Sequence, residues 1–185
     1  MDEKKLNSFI QNIDKGFWSF WDNLIYTVLE RSVDMMPPRL QKLIANYYTD
    51  ARIRKMYFDR LGVKMGDGTF ANLGMKIIVS DNYRYSIEIG ANVSIGPNLT
   101  LITEAAAGNG KEINTIAYVQ EKLTKEDRIL IEDEVWIGAN VVILPGVKVG
   151  RCSIIGAGAI VNKDIEPYSI YAGIPAKKIR DLEKE

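Results

Sequence analysis

From Met65 onward an apolar residue returns at every sixth position, and that period limits what the chain can fold into. Met65, Ala71 and Ile77 lead the first hexads. After an interruption around Tyr83 the same phase returns at Ile89, Ile95 and Leu101. Past a longer segment it resumes at Ile131, Ile137, Ile143, Val149, Ile155 and Val161. A helix repeats near 3.6 residues and a strand near 2, so neither suits this pattern as one continuous element. Six residues do suffice for one short strand and one tight corner. Three such sides close a triangular turn of roughly 18 residues, and successive turns stack as parallel strands about 4.8 Å apart. The leading apolar residue points into the triangle. The residue after it is small or acidic in most hexads: Gly90, Gly96, Glu132, Gly138, Gly150, Gly156. A small residue there permits the corner. Four places after the leader comes a small or β-branched residue in most: Val93, Val135, Val141, Val147, Ser153, Ala159. Each turn then buries its apolar face on the next.

Residues 1–62 read as a helical segment. Leu6, Phe9, Ile10, Ile13, Phe17, Phe20, Trp21, Leu24 and Val28 recur at spacings of three and four, one face of a helix. Gly16 weakens that helix, and Pro37-Pro38 ends it. Leu40, Leu43, Ile44 and Tyr47 make a second stripe. Thr49 or Asp50 caps a third helix carrying Ile53, Met56, Tyr57 and Leu61, with Gly62 placed for a left-handed C-cap. The coil is expected over 63–172, with a loop protruding near 102–130, and a tail or helix over 173–185. Within the loop, Glu104–Gly110 reads as chain leaving the prism, and 111–128 alternates charges with Ile113, Ile116, Val119 and Leu123. A loop of that length inside a compact domain is usually functional; the alternative is a solvated flap.

Composition excludes several function classes. Twenty-four basic residues balance 24 acidic ones, which gives no general attraction to nucleic acid. The single cysteine, Cys152, allows no internal disulfide and reads as a buried, inert thiol. No stretch of 18 apolar residues offers a spanning helix, and the start Met-Asp-Glu-Lys-Lys is unlike a signal peptide, so a cytoplasmic protein is expected. The aromatics Phe17, Trp18, Phe20 and Trp21 could dock on protein or make peripheral membrane contact; the zero net charge favours docking.

The run from Ile131 through Gly146 (IEDEVWIGANVVILPG) resembles the C-terminal half of the maltose and galactoside O-acetyltransferase group of hexapeptide-repeat acyltransferases. So do Ile155–Gly158, Val161–Asp164 and Ala172–Arg180, while Ile89–Thr100 matches an earlier coil; together the likeness covers roughly 60–182. The Val135-Trp136-Ile137-Gly138 and Gly173-Ile174-Pro175 elements are the most specific. The resemblance implies a left-handed parallel β-helix, a homotrimer with active sites between neighbouring prisms, and acetyl-coenzyme A as acyl donor to a sugar or glycan hydroxyl. Carried over by position, it implies coenzyme contacts at Ala139, Ala157, Asn162, Lys163, Lys177 and Arg180. It implies acceptor contacts at Asn72, at Asp81 (with an offset of one residue) and at Trp136. The basic three suit phosphates, and the small alanines let a pantetheine arm approach the backbone. No metal is expected: the zinc site that this fold can host requires histidines, and the chain has none.

The same resemblance implies a histidine base shortly after the Pro97–Leu101 strand. Ala106 stands at that position, or Ala105 if the turn is shorter. Alanine cannot accept a proton, and no copy of this chain can lend a histidine. Three readings stay open. Glu104 is the base for a hydroxyl acceptor. The acceptor is an amino sugar, free or nucleotide-linked, whose neutral amine needs no such base. Or the chain is a non-catalytic scaffold or binding protein.

Overall fold

The structure, a computed structural model, describes residues 19–79 and 86–183. The chain divides into two compact units, residues 1–37 and 38–185. The break therefore falls at Pro37-Pro38 instead of at 62, and the helices between them belong with the coil.

In the first unit residues 19–32 form helix α1, followed by a 3-10 turn, Val33–Met35. Phe20, Trp21, Leu24, Ile25 and Val28 fall on one arc of α1 and are exposed. Phe20 and Trp21 meet edge to face with ring centroids 5.7 Å apart. The earlier part of the expected stripe, Leu6 to Trp18, lies outside the described residues.

The second unit opens with α2 (Pro38–Tyr47) and α3 (Ala51–Arg60). Pro38 occupies the first helical position, where a missing N–H costs nothing. Asp50 caps α3 by accepting the Arg52 N–H at 2.8 Å. The Arg52 guanidinium closes on the same carboxylate, and that hydrogen bond is the main reason its pKa is lowered. Gly62, at φ 86°, ends the helix. Ile53, Tyr57 and Phe58 are fully buried on the side of α3 that meets the first coil strands. Arg54 is buried with them. It donates to the carbonyls of Tyr48, Thr49 and Ala71 at 2.6, 2.7 and 2.5 Å, tying the helix pair to the first turn of the coil.

From there the chain winds through three parallel sheets in strict rotation, as a left-handed β-helix. The first sheet holds β1 (Val63–Met65), β4 (Ile87–Ile89), β9 (Ile129–Ile131) and β12 (Lys148–Val149). The second holds β2 (Phe70–Ala71), β5 (Ser94–Ile95), β10 (Trp136–Ile137), β13 (Ile154–Ile155) and β15 (Ser169–Ala172). The third holds β3 (Lys76–Ile78), β6 (Thr100–Ile102), β11 (Val142–Ile143) and β14 (Ile160–Val161). The six-residue leaders pair with one another along each sheet: Ile89 with Ile131, Ile95 with Ile137 and Ile155, Leu101 with Ile143 and Val161. They are buried from Ile89 onward, as are Val93, Val135, Val141, Val147, Ser153 and Ala159. Met65 and Ile77, in the first turn, are only half-buried. Buried Ser153 keeps its hydroxyl satisfied by donating to the Gly150 carbonyl at 2.7 Å.

The expected loop is a built arm. Its two ends pair as antiparallel strands, β7 (Glu104–Ala105) and β8 (Lys125–Glu126). Its tip carries a 3-10 turn, Ile113–Thr115, and a π-helical turn, Val119–Leu123. Asn114 and Gln120 knit the tip: the Gln120 amide donates to Asn114 Oδ1 at 2.8 Å, and Asn114 Nδ2 donates to the Gly108 carbonyl at 3.0 Å. At the other end of the chain the expectation of a tail or helix is corrected. Residues Lys177–Asp181 form strand β16, antiparallel to β15. The cause is the free edge of β15, whose unpaired backbone groups offer a ladder that overrides local helix preference. Cys152 also departs from expectation: it is half-buried at a corner with φ 54°, its Sγ 3.2 Å from a Glu134 carboxylate oxygen.

Ile143 is fully buried between Leu101 and Val161. Ile143→Ala is expected to cost about 2–5 kcal/mol in chemical denaturation. Lys76→Ala, on an exposed position of the same sheet, is expected to stay within about 0.5 kcal/mol.

Candidate functional site

The expected site residues occupy two edges of the prism. One edge is the corner between the second and third sheets. Because Ala71, Ile95, Ile137, Ile155 and Tyr171 are in register, the residues following them stack into one column. Asn72 stands at its foot, below Gly96, Gly138, Gly156 and Ala172, and one place further on Leu73, Pro97, Ala139, Ala157 and Gly173 form a second column on the same corner. Gly138 makes this stacking possible: a Cβ there would lie 2.5 Å from the Ala157 nitrogen. The Gly158 N–H donates to the Ala139 carbonyl at 2.8 Å. The N–H groups of Ala139 and Ala157 have no acceptor among the described residues. Two small residues, one turn apart, thus carry amide donors left without an acceptor among the described residues, on an edge with little side-chain bulk. Asn72 is half-buried, and its side-chain oxygen accepts the N–H of Leu73 at 2.8 Å, which leaves the amide nitrogen as its available donor.

The last strand brings cations to this edge. Lys177 pairs with Ala172, beside the corner, while Arg180 pairs with Ile170 further along the second sheet. Both are exposed. The turn between β15 and β16 is tied to the third sheet: the Ile160 N–H donates to the Gly173 carbonyl at 3.1 Å, and the Ala176 N–H to the Ile160 carbonyl at 2.8 Å. Lys178 anchors the strand through Glu166 and Asp181, each at 2.6 Å. Those bonds, to Asp181 first, raise its pKa well above the ordinary value of 10.5.

The second edge is the corner between the third and first sheets. The arm leaves the prism here, so Glu104 stands at its root, exposed, with Glu126 opposite it across the β7–β8 pair. Ala106 is exposed just beyond. Asn162 and Lys163 sit higher on the same corner, following Val161 as Leu144 and Pro145 follow Ile143. Lys125 Nζ donates to the Pro145 carbonyl at 3.0 Å, and the Asp127 N–H to the Thr103 carbonyl at 2.9 Å. Gly146, at φ 80°, passes so close that a Cβ there would lie 2.7 Å from Asp127 Oδ2. Trp136 is on neither edge. It points outward from the middle of the second sheet, between Ser94 and Ile154, and is 59% exposed. Asp81 lies outside the described residues.

One chain therefore places Asn72, Ala139, Ala157 and Lys177 at successive heights along one edge, and Glu104, Asn162 and Lys163 along another. It does not bring the two groups into contact on one edge. A groove of about 580 Å³, lined by Lys64, Glu88, Glu132, Asp133 and Arg151 among others, runs along the first sheet and contains none of the expected residues. There Glu132 accepts from Lys148 at 2.8 Å and from the Arg151 N–H at 2.8 Å, and these bonds lower its pKa. Sequence reasoning missed the roles of Arg54, Lys125 and Thr103, since nothing in their neighbours marks them. Among the described residues no cluster of metal-ligating side chains occurs, and no helix is long and apolar enough to cross a membrane.

Comparison with known proteins adds to this geometry. The model for the bacterial transferase hexapeptide (six repeats) matches residues 128–163. Galactoside O-acetyltransferase of Escherichia coli is 38% identical over 125 residues, covering 65% of this chain and 54% of that protein. Galactoside O-acetyltransferase of Lactococcus lactis is 30% identical over 148 residues, covering 77% and 67%. A hexapeptide-repeat acetyltransferase of Vibrio cholerae, solved with acetyl-coenzyme A, superposes with a TM-score of 0.55 at 26% identity, covering 80% of this chain and 86% of that one. The chain spans about half the length of several curated relatives it matches.

A raised lysine pKa adds stability that is complete below the ordinary lysine value and is lost as pH rises through the folded-state value. The stability difference between the wild type and Lys178→Met is therefore expected to be constant from neutral pH to about 10 and to shrink above it. Denaturation curves measured across that range check this.

Proposed function

Because the chain belongs to the hexapeptide-repeat acetyltransferase family, we propose that it moves an acetyl group from acetyl-coenzyme A to a hydroxyl of a sugar or glycan, at a site completed by a neighbouring copy in a homotrimer. The observation that carries the donor half is the pair of amide N–H groups at Ala139 and Ala157 that have no acceptor among the described residues, on the edge that Lys177 borders. Backbone donors suit the carbonyl groups of a pantetheine arm, and Lys177, Arg180 and Lys163 suit phosphates. Asn162 would add an amide contact. The separation of the two edges supports the shared site. Placing the arm-bearing corner of one copy against the small-residue corner of the next would bring Glu104 towards Ala139 and Ala157, with Asn72, Asp81 and Trp136 left to hold the acceptor.

In that arrangement the acceptor hydroxyl attacks the thioester carbonyl carbon. Its proton passes to the Glu104 carboxylate, the carbon–sulfur bond breaks, and the coenzyme leaves as a thiolate that regains the proton. Two relatives bear the name galactoside O-acetyltransferase, and this supports the hydroxyl acceptor. The alternative is N-acetylation of an amino sugar, favoured by alanine at 105 and 106 and the absence of histidine. The reaction draws on a cytoplasmic donor, so the protein is placed there. The aromatic arc of α1 is assigned to protein packing and not to lipid, because Asp22 and Glu30 outweigh Arg31 on that helix.

Glu104→Gln is expected to lower turnover on a hydroxyl acceptor by about a hundredfold or more, with coenzyme affinity unchanged. With an amine acceptor the same change matters little, and the rate rises with pH as the amine loses its proton. Replacing Lys177 and Arg180 together by alanine is expected to weaken coenzyme A binding by about threefold to tenfold in calorimetry, the modest size reflecting their exposure. Failure of the wild type to bind coenzyme A at millimolar concentration, or a monomer in light scattering, would overturn the reading.

A further inference from the structure

Ser86 stands immediately before β4 and is 1% exposed, yet its hydroxyl has no hydrogen-bond partner among the described residues. A buried hydroxyl in that state lacks the hydrogen bond that water would give it, so a ligand able to pair with it gains accordingly. Ser86 lines a cavity of about 130 Å³, several times the space a single water needs. Thr103, Glu126, Asp127 and Arg128 form the rest of its wall. The frame is held by the backbone. The Ile129 N–H donates to the Ser86 carbonyl at 3.0 Å, and the Asp127 N–H to the Thr103 carbonyl at 2.9 Å. Thr103 is 2% exposed and donates its hydroxyl to the Ile78 carbonyl at 3.3 Å, so its oxygen can still accept. Asp127 accepts the Arg128 N–H at 2.8 Å. Glu126 and Arg128, both exposed, stand at the mouth, and Glu126 faces Glu104 across the strand pair.

We propose that this cavity, at the root of the arm, is an acceptor subsite that binds an uncharged, hydroxyl-bearing group of the sugar, close to the hydroxyl that is acetylated. This rests on the acetyl-transfer reading above. The lining selects the chemistry. Two carboxylates disfavour a phosphate or carboxylate, and Arg128 offsets one of them, which leaves little net attraction for a cation. Buried hydroxyls that both donate and accept match a C–OH group. Glu126, in the cavity wall, pairs with Glu104 across β7 and β8, so a sugar anchored there is held near that carboxylate.

The test uses the full chain with methyl hexosides and their monodeoxy derivatives, both as acceptors with acetyl-coenzyme A and as ligands in saturation-transfer NMR. In the wild type one deoxy position is expected to lower kcat/KM by about fivefold to tenfold. Ser86→Ala should erase that discrimination and leave coenzyme affinity unchanged. Ser86→Val, which fills the cavity, should raise KM for the fully hydroxylated acceptor. Arg128→Met, exposed and safe for folding, should raise the same KM about threefold. Acetylation with identical deoxy profiles in the wild type and Ser86→Ala, or no effect of Arg128→Met, overturns the subsite and leaves the activity standing. A hexoside signal that Ser86→Val abolishes, without any acetylation, keeps the subsite and removes the activity. If no hexoside binds or reacts, the subsite is overturned.

Discussion

Stacking of aligned apolar side chains along three parallel ladders is the interaction on which everything else in this molecule rests. Each leader is covered by the leader of the turn above and of the turn below, so no turn can bury its core alone. The corners must then turn within very few residues. They do so with residues in the left-handed region, glycine at 158 but asparagine at 98 and 140, with φ of 61° and 57°. Asn98 and Asn140 stack as well as turn, the amide of one donating to the side-chain oxygen of the other at 3.1 Å.

The functional edges inherit their character from that constraint. A corner that must be narrow carries small side chains, and small side chains leave the backbone accessible. Ala139 and Ala157 are therefore both packing residues and, in the proposed function, the positions whose amide groups meet the ligand. The opposite corner, between the third and first sheets, solves a different problem. There the chain departs for a long excursion and returns, and Lys125, Thr103 and Asp127 clamp the two ends so that the excursion does not loosen the prism.

The coil was legible because its signal is periodic and repeated many times. Ile137 alone says nothing, but Ile131, Ile137 and Ile143 in phase with Ile95 and Leu101 leave little freedom. The Asp50 cap and the Gly62 stop were legible for a local reason, since both act on their own neighbours in the chain. What the sequence did not disclose depends on partners distant in the chain. Lys177–Asp181 is a strand only because β15 ends the second sheet with an open edge. Arg54 is buried only because carbonyls from positions 48, 49 and 71 converge on it. Ser86 looks like any serine before a strand until the returning arm roofs it over. The coenzyme positions came from resemblance, and the backbone shows why alanine suits 139 and 157. Asn162 and Lys163 lie on a different edge, a separation that no linear motif records.

The arm also bears on how such a chain can change over time. Ile137 and Ile155, on uninterrupted turns, are 18 residues apart, whereas Ile89 and Ile131, which flank the arm, are 42 apart. The inserted length is a whole number of hexads, and it enters at a corner, where no ladder bond is interrupted. The prism thus works as a ruler with one permitted unit of length. Segments that leave and rejoin at a clamped corner can be lengthened, shortened or exchanged without shifting any strand above them. Recognition surfaces can diversify there while the stacked core keeps its count.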